Sequence, residues 1–342
     1  MPEYVGALRR PDERHIGSFP ASPDRIKGSL LDDSLDRGYA ACNMRTRVLA
    51  LMAAALALLV SCSDDDTGQP QAARAVTERD IVYCTIDGVD LKLDVTYRSG
   101  VDHSVPMLLQ IHGGGWSEGD KTGPGTYPLP SLVDRGYVVA SATHRRAPEF
   151  LFPAQLEDAK CAVRYLRAHA SEYGGDPGRI GVWGNSSGGH LAAMLGLTEP
   201  SDGFDDAGQY QHVSSDVQAV VDLFGPSDLT DSAVFPRGAI LRAAFGTDDR
   251  SSTALIEGSP VRYARDGAPP FLLIHGDADW LVPASQSEKL HAHLRAHGIE
   301  SRLVIVRNAN HNLAPQGGTP EPGPEAIEGM IAAFFAEALG EP

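Results

Sequence analysis

Six residues, Gly184-Asn185-Ser186-Ser187-Gly188-Gly189, follow an apolar run and open a helix-like one. A serine flanked by glycines at such a junction sits on a sharp turn. The glycines let strand and helix pack closely, and the serine Oγ is pushed out above the strand end. The helix behind it aims N–H groups and its positive dipole end at developing negative charge. A serine alone is a weak nucleophile and needs a base that is itself held by an acid. Both types of residue stand downstream. His275-Gly276-Asp277-Ala278-Asp279 follows the apolar Phe271–Ile274, and Asn308-Ala309-Asn310-His311-Asn312 follows Leu303–Val306. In the order nucleophile, acid, base, His311 takes the proton of Ser186, and Asp279 orients His311 and stabilises its charged form. Asp277 is the competing acid, or else shapes the turn. A third piece, His112-Gly113-Gly114-Gly115-Trp116, follows Ile111. Backbone without Cβ atoms can turn its N–H groups on an oxyanion. Gly113 and Gly114 are read as donors, with the Ser187 N–H as their partner.

These residues need elements to hold them at one edge of a core. Asp87-Gly88 between Ile81–Cys84 and Leu91–Val95 reads as a hairpin turn. Val105–His112, Tyr137–Ala140, Ile180–Trp183, Ala219–Phe224, Phe271–Ile274 and Leu303–Val306 read as buried strands. Helical stripes fall at 154–170, 187–197, 285–297 and 325–339. Strands alternating with helices predict an α/β fold, a mostly parallel sheet covered on both faces, with the hairpin adding antiparallel strands at one edge. Serine, acid and histidine then all lie just past strand C-termini, where sites form in open sheets of this kind. Residues 198–215 and 225–268 break the alternation, and the second reads as an insertion over the strand ends, a small cap.

In combination, HGGGW, the Asp158-Ala159-Lys160 helix, GNSSGGH, HGDADWLVP and the late His311 resemble the α/β-hydrolase-fold esterases over about residues 80–340. More narrowly, they are similar to hormone-sensitive-lipase-like and feruloyl-esterase-like carboxylesterases. The resemblance implies an α/β-hydrolase fold and Ser186, Asp279 and His311 as the triad. It also implies a small-molecule ester substrate, short-chain or aryl, and no metal or organic cofactor. The hormone-sensitive-lipase pattern has Asp and Ala around the nucleophile, where this chain has Asn185 and Ser187, which favours the feruloyl-esterase-like branch. An amidase, arylformamidase or peptidase on the same fold is the alternative.

The rest of the chain speaks to location. Residues 1–43 are polar and aperiodic. Met44, Arg45 and Arg47 then precede an unbroken apolar run, Val48–Val60, ending in Ser61-Cys62. The run is too short to span a bilayer but suits a signal peptide. Its end resembles the lipobox of bacterial lipoproteins, which implies lipidation of Cys62. The expected organisation is an upstream extension at 1–43, with Met44 as the true start, a leader at 44–61, a tether at 62–79 and the folded domain at 80–342. The expected location is the outer face of the bacterial cell membrane, reached only through the lipid on Cys62. The net charge is −16, which argues against a nucleic-acid partner. Oligomeric state is left open.

Several other residues read as structural. His291, His293 and His297 read as solvent-facing, and His112 and His275 as shaping the site by hydrogen bonds. Cys84 and Cys161 read either as a disulfide or as buried thiols. Trp116 and Trp280, beside motif residues, either line the acyl pocket or pack.

Overall fold

The computed structural model describes residues 74–342 apart from residue 124. The upstream extension, the leader with Cys62, and the tether as far as residue 73 lie outside the described residues. Eight strands form one sheet: β1 (Arg74–Ile86), β2 (Val89–Ser99), β3 (Val105–Ile111), β4 (Val138–Ala142), β5 (Gly175–Asn185), β6 (Ala219–Leu223), β7 (Phe271–Gly276) and β8 (Ser301–Val306). Their spatial order is β1-β2-β4-β3-β5-β6-β7-β8. The first two make the expected hairpin, turning at Asp87 and Gly88 with φ of 52° and 79°, as a tight two-residue turn requires. β2 also pairs antiparallel with β4, and every pairing beyond that is parallel.

One boundary differs from expectation. β1 begins at Arg74 rather than near Asp80, and Arg74–Glu78 ladder against Val95–Ser99. That end of β1 is largely exposed, so no alternation of apolar residues marks it, and the backbone pairing alone makes it strand rather than tether.

Alternate residues of a strand face opposite sides of the sheet. Met107, Leu109 and Ile111 of β3 enter the core beneath α2 (Ala154–Ala168), α3 (Ser187–Leu197) and α6 (Ser285–Ala296). Leu108 points the other way and joins Trp183 and Phe335 beneath α1 (Pro130–Arg135) and α7 (Pro324–Leu339). Burial on both faces is why β3 is apolar at every position but Gln110. Cys84 of β1 and Cys161 of α2 form a disulfide with Cα atoms 6.5 Å apart, fastening the hairpin to a helix. Asp158 of α2, fully buried, accepts the Arg145 backbone N–H at 2.6 Å and its guanidinium at 2.8 Å, pinning the segment after β4. The insertion at 225–268 consists of two short helices, α4 (Ala239–Phe245) and α5 (Thr253–Glu257), and a 3₁₀ turn at Pro260–Tyr263. Ala239, Ile240 and Ala243 of α4 wall one side of the pocket over the strand ends.

Candidate active site

β5 ends at Asn185 and α3 starts at Ser187, so Ser186 alone makes the turn, at φ 54° and ψ −120°. An L-residue avoids that conformation unless its surroundings enforce it. Here the Ser186 N–H donates to the Leu223 carbonyl at 2.8 Å, and the Ser186 carbonyl accepts from the His190 N–H at 3.0 Å. A Cβ on Gly188 would press into the Ile111 carbonyl. Glycine there lets the first turn of α3 lie against the end of β3.

The structure brings Ser186, His311 and Asp279 together. Ser186 Oγ is 2.8 Å from His311 Nε2, and His311 Nδ1 is 2.6 Å from Asp279 Oδ2. Asp279 Oδ1 accepts the Leu281 and Val282 N–H groups, each at 2.9 Å. Its Oδ2 also faces His275 Nε2 at 3.1 Å, whose proton is shared with the Val282 carbonyl at 2.8 Å. Burial opposes the charged form of Asp279, but the hydrogen bonds from His275 and His311 outweigh it and hold the carboxyl at about 2. A carboxylate accepts only. It therefore assigns the His311 proton to Nδ1 and leaves Nε2 with a free lone pair toward the serine. The rim of the His311 ring rests on Phe224, centroids 5.1 Å apart and nearly edge to face. The two loops are stitched together by the Ala278 N–H donating to the Ala309 carbonyl at 2.9 Å. Asp277 is exposed and, among the described residues, its side chain accepts only the Ala309 N–H, at 3.3 Å. It belongs to that stitch, not to His311.

The glycine loop corrects one expectation. The Gly113 N–H donates to the Gly125 carbonyl at 2.7 Å and is not available to an oxyanion. Among the described residues the N–H groups of Gly114, Gly115 and Ser187 have no such partner. Gly114 and Gly115, at φ of 120° and 60°, line the pocket with Ser186 and His311. Gly115, the third glycine of the motif, thus stands beside Gly114 with its N–H unpaired among the described residues, whereas the first does not. The tripeptide signal was present, but the contact that removes Gly113 comes from residue 125.

His112 donates from Nδ1 to the Gly113 carbonyl at 2.8 Å and stacks on His144 at 4.3 Å. Burial pushes both imidazoles down, His144 to about 3, so they are neutral supports of the loop. Trp116 is fully buried and packs on Phe245, its Nε1–H donating to His190 Nδ1 at 3.3 Å. His190, one turn after the serine, donates from Nε2 to the Gly258 carbonyl at 2.6 Å. It ties the glycine loop, α3 and the insertion together, a role that nothing in its sequence position disclosed. Trp280 instead is 71% exposed. His291 bonds Ser301 Oγ at 2.8 Å, and His297 Nδ1 bonds the His293 carbonyl at 2.9 Å, away from the pocket.

The pocket measures about 540 Å3, within the range of small-molecule sites. A serine hydroxyl within hydrogen-bond reach of an imidazole that a carboxylate holds, beside N–H groups unpaired among the described residues, is suited to attack on a polarised carbonyl.

A family model described as BD-FAE matches residues 93–294. Among curated proteins, the chain is similar to two from Mycobacterium tuberculosis. It is 35% identical over 203 residues to one named "Probable carboxylic ester hydrolase LipM", covering 57% of this chain and 46% of that one. It is 32% identical over 215 residues to esterase LipQ, covering 60% and 50%. The chain thus spans about half the length of these relatives. Among solved structures, a truncated carbohydrate esterase from gut microbiota superposes with a TM-score of 0.67 at 26% identity, covering 77% of this chain and 96% of that one.

Proposed function

The chain belongs to the BD-FAE family of esterase-like proteins and has their α/β-hydrolase fold, and from that membership we propose that it hydrolyses carboxylic esters through Ser186. The observation that carries the proposal is the chain of contacts from Ser186 through His311 to Asp279, at 2.8 and 2.6 Å, beneath an open pocket. Ser186 Oγ attacks the ester carbonyl as His311 Nε2 takes its proton. The tetrahedral oxyanion is received by the N–H groups of Gly114, Gly115 and Ser187. Asp279 holds the imidazolium. His311 then protonates the departing alcohol, and in the second half-reaction it activates water against the acyl-serine. The names of the relatives support esters as the bond class. The size of the pocket supports short-chain or aryl esters.

The test is hydrolysis of p-nitrophenyl acetate, butyrate and octanoate by the full chain and by Ser186→Ala. Turnover on the short esters that disappears in the variant is the expected result. Equal weak activity in both proteins would overturn Ser186 as the nucleophile. An ester assayed beside its matched amide separates this reading from an amidase.

From the sequence alone we further propose export and lipid attachment at Cys62, which lies outside the described residues. A Cys62→Ala protein that still partitions with membranes would refute the attachment. Among the described residues no helix is long and apolar enough to cross a membrane.

A further inference from the structure

We propose that a second cavity beside the catalytic pocket is a subsite for an aromatic ring that carries a carboxylate, on either the acyl or the alcohol part of the ester. The proposal rests on the esterase reading and names the substrate class that this reading leaves open. The cavity measures about 350 Å3 and shares Ala239, Ile240 and Leu281 with the pocket that holds Ser186 and His311. A substrate with its carbonyl at the serine therefore needs only to pass these three residues to reach it. Phe235, Pro236 and Trp280 supply its other apolar walls, and Arg237 lines it as well.

Two features of these walls have no use within the fold. Trp280 is 71% exposed, the most exposed large apolar side chain among the described residues. Yet its backbone is rigidly mounted. Asp279 before it is held by the Leu281 and Val282 amides, and the Leu281 carbonyl accepts the Phe235 N–H at 3.1 Å. An indole face left in water on so well-anchored a backbone is a ready platform for a flat ring. Arg237 is exposed, and among the described residues its guanidinium makes no hydrogen bond and no ion pair, in a chain whose net charge is −16. A guanidinium fork matches a carboxylate in two parallel hydrogen bonds. The chemistry of the walls also separates an aromatic acid from a sugar. Among the described residues Arg237 is the only charged side chain lining the cavity, and the Trp280 indole N–H is the one other polar side-chain group there, so the hydroxyls of a pyranose would find few partners, whereas an aromatic ring has no such groups to satisfy.

The experiment compares paired esters on the full chain: phenyl acetate with 3-carboxyphenyl acetate for the alcohol side, and methyl benzoate with monomethyl isophthalate for the acyl side. Arg237→Gln is expected to lower kcat/KM for the carboxylated member relative to its uncharged partner about tenfold, through KM, in one of the two series. That series identifies the part of the substrate the cavity takes. Salt at 0.5 M should reproduce the loss in the wild type only. Trp280→Ala is expected to lower kcat/KM for aryl esters relative to ethyl acetate. An Arg237→Gln ratio unchanged in both series, while hydrolysis still depends on Ser186, would overturn the subsite and leave the esterase reading intact. Failure of the wild type to hydrolyse any of these esters would overturn the reading beneath it. The subsite then stands or falls on binding of isophthalate to the Ser186→Ala protein, read as a change in tryptophan emission that Trp280→Phe and Arg237→Gln should each weaken; no change would refute it.

Discussion

Replacing Asp279 by asparagine tests the hydrogen-bond logic of the site more sharply than truncating it. The carboxylate accepts on both oxygens, and the two sides are not equivalent. Oδ1 meets the backbone N–H groups of Leu281 and Val282, each at 2.9 Å, donors that cannot become acceptors. An amide NH2 turned to that side would leave three buried donors unpaired, each costing roughly 1–3 kcal/mol. The amide of Asp279→Asn must therefore present its carbonyl to the backbone and its NH2 to the imidazoles. His275 can satisfy its Nε2–H with the Val282 carbonyl at 2.8 Å. His311 has no such alternative. Its Nδ1 becomes the acceptor, its proton moves to Nε2, and Nε2 donates to Ser186 Oγ instead of taking its proton. By analogy with tautomer-trapped triads, kcat should fall by ~10⁴ with KM little altered.

The same substitution bears on stability. The fold holds the Asp279 carboxyl at about 2 rather than its ordinary 3.8, because the hydrogen bonds outweigh burial. That difference is worth about 2 kcal/mol. Since the folded value is the lower one, the contribution is fully present above about pH 4 and is lost as pH falls toward 2. Asp279→Asn should therefore melt lower than wild type at pH 7. The assay is kcat and KM on p-nitrophenyl acetate, with thermal melts alongside. Asp277→Asn serves as control, since among the described residues that exposed side chain accepts only the Ala309 N–H. An Asp279→Asn protein within tenfold of the wild-type kcat, or a collapse in Asp277→Asn instead, would refute the assignment.

Three further outcomes are expected. Gly114→Ala places a Cβ against the Glu118 carbonyl at a φ of 120° and displaces the glycine loop. It should lower kcat by ~10²–10³, and unchanged turnover would remove that loop from oxyanion binding. Cys84→Ser with Cys161→Ser opens a cross-link between residues 77 apart in sequence, which chain entropy values at roughly 4 kcal/mol. Melting should drop by roughly 10 °C without loss of kcat, and equal melting of oxidised and reduced wild type would contradict this. Asp222 is buried with Oδ1 bonded to the Gly225 N–H and Oδ2 unpartnered. Burial raises its carboxyl to about 6 despite that bond. A raised folded value means stability is lost as pH climbs from 3.8 through 6. Relative to Asp222→Asn, urea unfolding of the wild type should thus weaken by roughly 2 kcal/mol between pH 4.5 and 7.5. Parallel curves for the two proteins would show that Asp222 is not the source.

Much of the site was readable because its signals are local. The Ser186 turn is written in the glycines around it and in the β5 and α3 patterns on either side, whose period changes from two to three or four residues. Asp279 and His311 follow runs that burial on both sheet faces made apolar, so their place beyond strand ends could be inferred before any contact was known. The insertion could be delimited but not described. α4 and α5 have seven and five residues, too few turns to show a stripe, and they are held by packing rather than by propensity. The exposed start of β1 was missed for the related reason that a strand with no buried face carries no alternation.

The amino-acid sequence by itself determined the architecture, the candidate nucleophile and base, and the chemistry they suit, because periodicity and turn residues act over a few positions. Only the tertiary structure set Asp279 rather than Asp277 against His311, tied the Gly113 N–H to Gly125, joined Cys84 to Cys161, and set Trp280 and Arg237 beside the pocket of Ser186. Each of these depends on where loops from separate strands meet, and a hydrogen bond or a shared wall between residues distant in the chain leaves no trace in either one's neighbours.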